Sequence, residues 1–265
     1  MKRYDGKVAV VTGASSGLGR RLALDLARRG ATVVGVARRQ QLLAQLEKEL
    51  QQNSPRSEAL VCDVGDADVW RSALSDVEER HGRIDVLISA AAVEFPTPVS
   101  DADLEGFRQT LDVNYFGVVT GTLAALPGML TRRSGVIVNV SSDSARAPAA
   151  DGAAYAASKA AVSAFTESAA HEVAGRGVHL HVLYPGWVPT PMGLAALERG
   201  MPMPPRPVRR SEEQISKLVL ERMGSDKIEL NASLLPVMAP LARALFPKAY
   251  RRSVAKQHPP RSAAR

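Results

Sequence analysis

Short β-branched runs alternate along this chain with longer stretches whose apolar residues recur every three or four positions. Residues 7–12, 31–37, 58–61, 85–89, 135–141 and 178–184 read as strands. Residues 18–29, 40–50, 67–80, 103 to about 127, and 153–174 carry helical spacing between them. Strands separated by helices cannot pair as hairpins. They predict an α/β fold: a doubly wound, mostly parallel sheet of six to seven strands with helices on both faces. Ligands of such sheets bind beyond the carboxyl ends of the strands. Gly13, Asp63, Ala90, Ser142 and Pro185 fall at or just after those ends.

After Pro185 the texture changes. Residues 185–207 are rich in Pro, Met and Gly, which predicts an irregular lid over a site, spanning about 186–210. Ser211-Glu212-Glu213 reads as a helix start, continuing to about Met223, and residues 226–230 as a short last strand. There is no internal repeat and no second domain. Residues 1–230 form one domain in this reading, and 231–265 a basic, partly apolar C-terminal extension.

Two motifs carry chemistry. The turn Thr12-Gly13-Ala14-Ser15-Ser16-Gly17-Leu18-Gly19 follows a strand and opens a helix. In that context glycines let backbone approach a pyrophosphate, and the helix N-terminus points free N–H groups at it. Tyr155 and Lys159 stand four residues apart on a helix, so phenol and ammonium share a face. A neighbouring ammonium is expected to lower the phenol's pKa, making it a proton donor or acceptor near neutral pH.

Taken with Ser142, thirteen residues before Tyr155, with Asn114 in Val113-Asn114-Tyr115-Phe116-Gly117, and with Pro185-Gly186, these motifs resemble a short-chain dehydrogenase/reductase of the compact, single-domain kind. The likeness covers about residues 5–190. It implies that Tyr155 is the general acid in ketone reduction and the base in alcohol oxidation. Lys159 would lower its pKa and hold the nicotinamide ribose, and Ser142 would hydrogen-bond the substrate oxygen. Asn114 would kink its helix and anchor a water that relays protons to Lys159. Cofactor contacts would come from Gly13, Ser15, Ser16, Gly17, Leu18 and Gly19, from Asp63-Val64 at the adenine, and from Ala90. Tyr155, Lys159, Pro185, Gly186, Val188 and Thr190 complete the implied set. A homodimer or homotetramer through the long helices is implied too.

NAD binders often hold the ribose with an acid at the end of the second strand. That position is Ala37 here, followed by Arg38-Arg39. A guanidinium can grip a 2′-phosphate with two bonds, so NADP is expected, with Arg38 the main contact. One departure stands out. Where the family usually has Asn-Asn-Ala-Gly, this chain has Ser89-Ala90-Ala91-Ala92. Weaker cofactor binding or a local shift is expected, and a non-catalytic NADP-binding sensor or scaffold stays open as the alternative. Glu94, Phe95, Asp143, Arg146, Trp187, Val188 and Met192 are placed by position around a mostly apolar substrate pocket. Such a pocket suits a lipophilic carbonyl or alcohol such as a steroid, retinoid or keto-lipid.

His179 and His181 alternate on one strand face without a carboxylate or cysteine partner, so they read as core or edge residues and no metal site is expected. Cys62 is the only cysteine and excludes an internal disulfide. No basic-apolar leader precedes the first strand, and a cytoplasmic location follows as the expectation. The net charge of +7 is uneven: residues 205–265 hold 13 Lys/Arg and 5 Asp/Glu, against 21 and 22 in the rest. Leu234, Met238, Leu241 and Leu245 form a helix-like stripe interrupted by Pro236, Pro240 and Pro247, predicting short broken helices. Two readings stand for this tail, a peripheral contact with an acidic membrane surface or an arm packed on a neighbouring subunit. No nucleic-acid motif accompanies it.

Overall fold

The computed structural model describes residues 3–257. Seven strands form one sheet: β1 (Val8–Thr12), β2 (Thr32–Ala37), β3 (Glu58–Val61), β4 (Val86–Ser89), β5 (Gly135–Val140), β6 (Val178–Tyr184) and β7 (Glu229–Asn231). Their order is β3-β2-β1-β4-β5-β6-β7, and every pairing is parallel. The direction of winding reverses between β1 and β4, which leaves a crevice beyond their carboxyl ends.

Two apolar layers sandwich the sheet. On one face, α1 (Gly17–Arg28), α2 (Gln40–Gln51) and α8 (Glu212–Arg222) bury Leu22, Leu26, Leu46 and Val219 against Ala9 and Val11. On the other, α3 (Ala67–His81), α5 (Gly117–Thr131) and α6 (Ala153–Glu172) bury Trp70, Leu74, Met129 and Ala169 against Val10. The alternation within β1 is the two-residue period of a strand buried on both faces. Each fully buried leucine contributes about 1.5–3 kcal/mol relative to exposure.

Four sequence expectations are refined. The long helix is α4 (Leu104–Leu111), then a π-helical turn (Asp112–Phe116), then α5, which runs past Pro127 to Thr131. Residues 104–131 are long and apolar enough to cross a bilayer, yet α5 packs against α3 and the sheet and buries Gly121, Ala125 and Met129. The segment expected as a lid is not wholly irregular. It contains α7 (Pro191–Glu198), which starts because Thr190 accepts from the Gly193 N–H at 3.2 Å and Pro191 pre-sets the first turn. The last strand lies at Glu229–Asn231, one position beyond the expected end, where it pairs with Val182–Tyr184. The tail folds as α9 (Leu235–Leu245) and α10 (Pro247–Gln257), broken at Phe246 and Pro247.

Candidate active site

A cleft of about 560 Å3 opens at the switch point between β1 and β4. Every residue expected to touch a cofactor lines it, as does Ser142. Asn114 does not.

The floor is the glycine turn. Gly13 has φ +67°, and a Cβ there would stand 2.8 Å from the Ala90 carbonyl oxygen. A Cβ on Gly19 would stand 2.6 Å from the Gly13 oxygen. The turn is therefore closed to side chains and presents backbone to the cleft. Helix α1 starts at Gly17 with no side-chain cap and no acidic residue in its first turn. Its leading N–H groups and positive dipole end are left for an anion, which is what a dinucleotide pyrophosphate would supply.

Tyr155 and Lys159 rise from the first turns of α6 into the middle of the cleft. Ser142 favours the Tyr155 phenolate by side-chain hydrogen bonding, and Ser142 Oγ accepts from the Ser144 N–H at 3.1 Å. Serine, tyrosine and cleft thus converge. The expected pull of Lys159 on the phenol does not dominate. Burial pushes the Tyr155 pKa up to about 12, against the favourable Ser142 bond, and the Glu94 and Asp143 carboxylates push the same way. Lys159 turns its ammonium to the Val140 carbonyl at 2.8 Å, 5.8 Å from the Tyr155 ring centroid. Burial lowers the Lys159 pKa to about 8.

Asn114 lies on the π-helical turn, fully buried behind the cleft wall. Its Oδ1 accepts from the Val93 N–H at 2.8 Å, and its Nδ2 donates to the Val93 carbonyl at 2.9 Å and to Ser158 Oγ at 3.1 Å. The side chain clamps the loop after β4 to the helix of Tyr155 and Lys159. The wide turn accommodates that inward amide. The same loop carries the Ala90–Ala92 departure. Its anchoring falls to Thr12, whose hydroxyl accepts from the Ala90 and Ala91 N–H groups, both at 3.0 Å.

At the far end of the cleft the two arginines divide. Arg38 lies on the surface, 3.4 Å from Asp63. Arg39, which the sequence reading placed second, donates to Ser15 Oγ at 2.7 Å and Ser16 Oγ at 2.6 Å. Its guanidinium spans the glycine turn. The adjacency Arg38-Arg39 was visible in the sequence; which of the two meets the serines of the glycine turn depends on Arg39 standing at the N-cap of α2.

Four of the seven residues expected around a substrate pocket line the cleft. Glu94, Trp187, Val188 and Met192 line the cleft, joined by Leu197 and Met201 of the lid. Phe95 instead lines a separate cavity of about 270 Å3. Arg146 points away, bonded to Tyr184 Oη at 3.2 Å and to Glu229 at 2.5 Å. Asp143 accepts from the Ser233 hydroxyl at 3.3 Å at the start of the tail, and burial raises its pKa. Glu94, its pKa also raised by burial, meets Arg199 at the end of α7 at 3.5 Å and ties the lid to the β4 loop. His181 is held by the Lys227 carbonyl at 2.6 Å and the Gly224 N–H at 2.9 Å, so backbone occupies both ring nitrogens.

Comparison with known proteins agrees with this geometry. The family model for short chain dehydrogenases matches residues 7–199. Dehydrogenase/reductase SDR family member 7B of Danio rerio is 32% identical over 263 residues, 95% of this chain and 85% of that protein. A metagenomic short-chain oxidoreductase solved with NADP is 34% identical, with a TM-score of 0.66 over 69% of this chain and 83% of its own. A short chain dehydrogenase/reductase of Burkholderia phymatum solved with NAD is 25% identical, with a TM-score of 0.81 over 92% and 95%. The chain belongs to the short-chain dehydrogenase/reductase family of oxidoreductases.

Proposed function

We propose that this oxidoreductase uses NADPH to reduce a lipophilic ketone or aldehyde to its alcohol, and runs the reverse reaction with NADP. The observation that carries the reading is the convergence of Tyr155, Ser142 and the glycine turn on one cleft. The bound nicotinamide would supply the hydride. Backbone of the glycine turn and the first turn of α1 would hold its pyrophosphate. Arg39 and Arg38 would face a 2′-phosphate, and Ala37 offers no carboxylate to repel it.

The chain's own residues would handle the proton. Ser142 and Tyr155 donate hydrogen bonds to the carbonyl oxygen and stabilise the charge that develops there. A phenol raised to about 12 is protonated throughout the neutral range, so Tyr155 gives its proton to the forming alkoxide. Lys159, charged below about pH 8, stabilises the phenolate left behind. Asn114 holds the loop and helix in register. Trp187, Met192, Leu197 and Met201 give the substrate side an apolar lining suited to a steroid, retinoid or keto-lipid. The protein would work as a cytoplasmic homodimer or homotetramer.

The test is NADPH and NADH consumption across a panel of steroid, retinoid and long-chain ketones. The reading expects turnover on a bulky apolar carbonyl, with NADPH preferred roughly tenfold or more, the effect of one charge-assisted contact. Equal use of NADH would remove the arginine argument. Tight NADPH binding without turnover on any carbonyl would favour the sensor or scaffold.

A further inference from the structure

Beyond Glu229 the chain carries seven Lys/Arg and no Asp/Glu to its end. Within that stretch α9 buries Pro236 and Ala239 and leaves Leu234, Val237, Met238, Leu241 and Leu245 exposed, with Phe246 following. Their spacing puts them on one helical stripe. Leu234 is 75% exposed, Leu245 68% and Phe246 66%, and such a run of large apolar groups differs from the single exposed residues of an ordinary surface. Lys248, Arg251 and Arg252 of α10 are exposed after it, and Arg243 is exposed on the opposite side of α9.

We propose that α9 and α10 form a docking arm for an anionic membrane surface, with the apolar stripe of α9 entering the headgroup layer and the exposed Lys248, Arg251 and Arg252 of α10 facing lipid phosphates. The inference is independent of the reaction proposed above. Charge decides between occupants. A second copy packed about a twofold axis would set these cations against their own equivalents. Residues 1–204, with 21 Lys/Arg and 22 Asp/Glu, carry little net negative charge to compensate. An anionic leaflet presents opposite charge over a whole plane. With eleven residues, α9 is about 16 Å long, too short for the roughly 30 Å hydrocarbon core, so it lies in the interface. The arm is also fixed to the body of the protein. Helix α9 packs on the turn Asp143–Ala145, and Ser233 bonds Asp143 at 3.3 Å.

Flotation of the full chain with vesicles tests this. Vesicles of phosphatidylcholine with phosphatidylglycerol should carry the protein, and pure phosphatidylcholine vesicles should hold it roughly tenfold less or weaker, with the difference shrinking in high salt. Leu241→Asp with Phe246→Asp, and separately Arg251→Glu with Arg252→Glu, should each abolish flotation while melting temperature and NADPH binding stay at the parent values. If the parent does not float on anionic vesicles, or floats equally on neutral ones, the proposal is wrong. It is equally overturned if Leu241→Asp with Phe246→Asp lowers the subunit number in light scattering while lipid binding is unchanged, which would make the stripe a subunit interface.

Discussion

Lys159 donates to the Val140 carbonyl at 2.8 Å, fastening the second turn of α6 to the end of β5. The ammonium is therefore held in place by backbone before any ligand arrives, and its burial brings its pKa to about 8. Below that value it is charged, and above it neutral. Reduction should be nearly constant from about pH 6 to about pH 7 and fall through one deprotonation near pH 8, because the phenolate left after proton transfer loses its counter-charge. A profile of kcat against pH checks this. A limb near pH 10, the ordinary lysine range, would contradict it.

Arg39 bonds both serines of the glycine turn, whereas Arg38 reaches only Asp63 across an exposed gap. Arg39→Ala should raise KM for NADPH by about 10- to 100-fold and leave NADH nearly unchanged. Arg38→Ala should have the smaller effect. Steady-state kinetics with both nucleotides separates the two, and the opposite ranking would return the main role to Arg38.

Asn114→Ala would strip three hydrogen bonds, one buried to Ser158 and two part-buried to Val93. Leaving such groups unpaired costs about 1–3 kcal/mol each, so stability should fall by roughly 2–4 kcal/mol after partial relaxation. Chemical denaturation measures it. A change below about 0.5 kcal/mol would mean that the clamp is not structural.

Gly13→Ala would force a Cβ against the Ala90 carbonyl in a left-handed backbone. The loop after β4 must move, and NADPH affinity should drop about tenfold or more together with a loss of roughly 1–3 kcal/mol in stability. Fluorescence titration and thermal melting read the two effects, and unchanged values in both would contradict the close approach.

The strand and helix order was legible because residues such as Val8–Thr12 and Leu22–Leu26 carry periods that differ plainly. The cleft was legible because its residues sit at strand ends and in short motifs. What escaped depends on tertiary direction. Nothing local shows that Phe95 and Arg146 turn from the cleft, since Arg146 answers to Tyr184 and Glu229, which are remote in sequence. The phenol's upward shift comes from burial and from Glu94 and Asp143, and a Tyr-Lys spacing contains neither. Helix α7 did leave a signal, Thr190-Pro191 as N-cap and first-turn proline, masked by the prolines and methionines after it.

The central claim is that the Tyr155 hydroxyl gives a proton to a carbonyl oxygen as hydride arrives from the cleft. Deuteride transfer tests it most directly, with NADPH labelled at C4 and an apolar ketone from the panel. The label should appear on the alcohol carbon with the parent protein. Tyr155→Phe should lower kcat by about 10²- to 10⁴-fold while NADPH still binds. Label transfer by Tyr155→Phe at the parent rate would contradict the account.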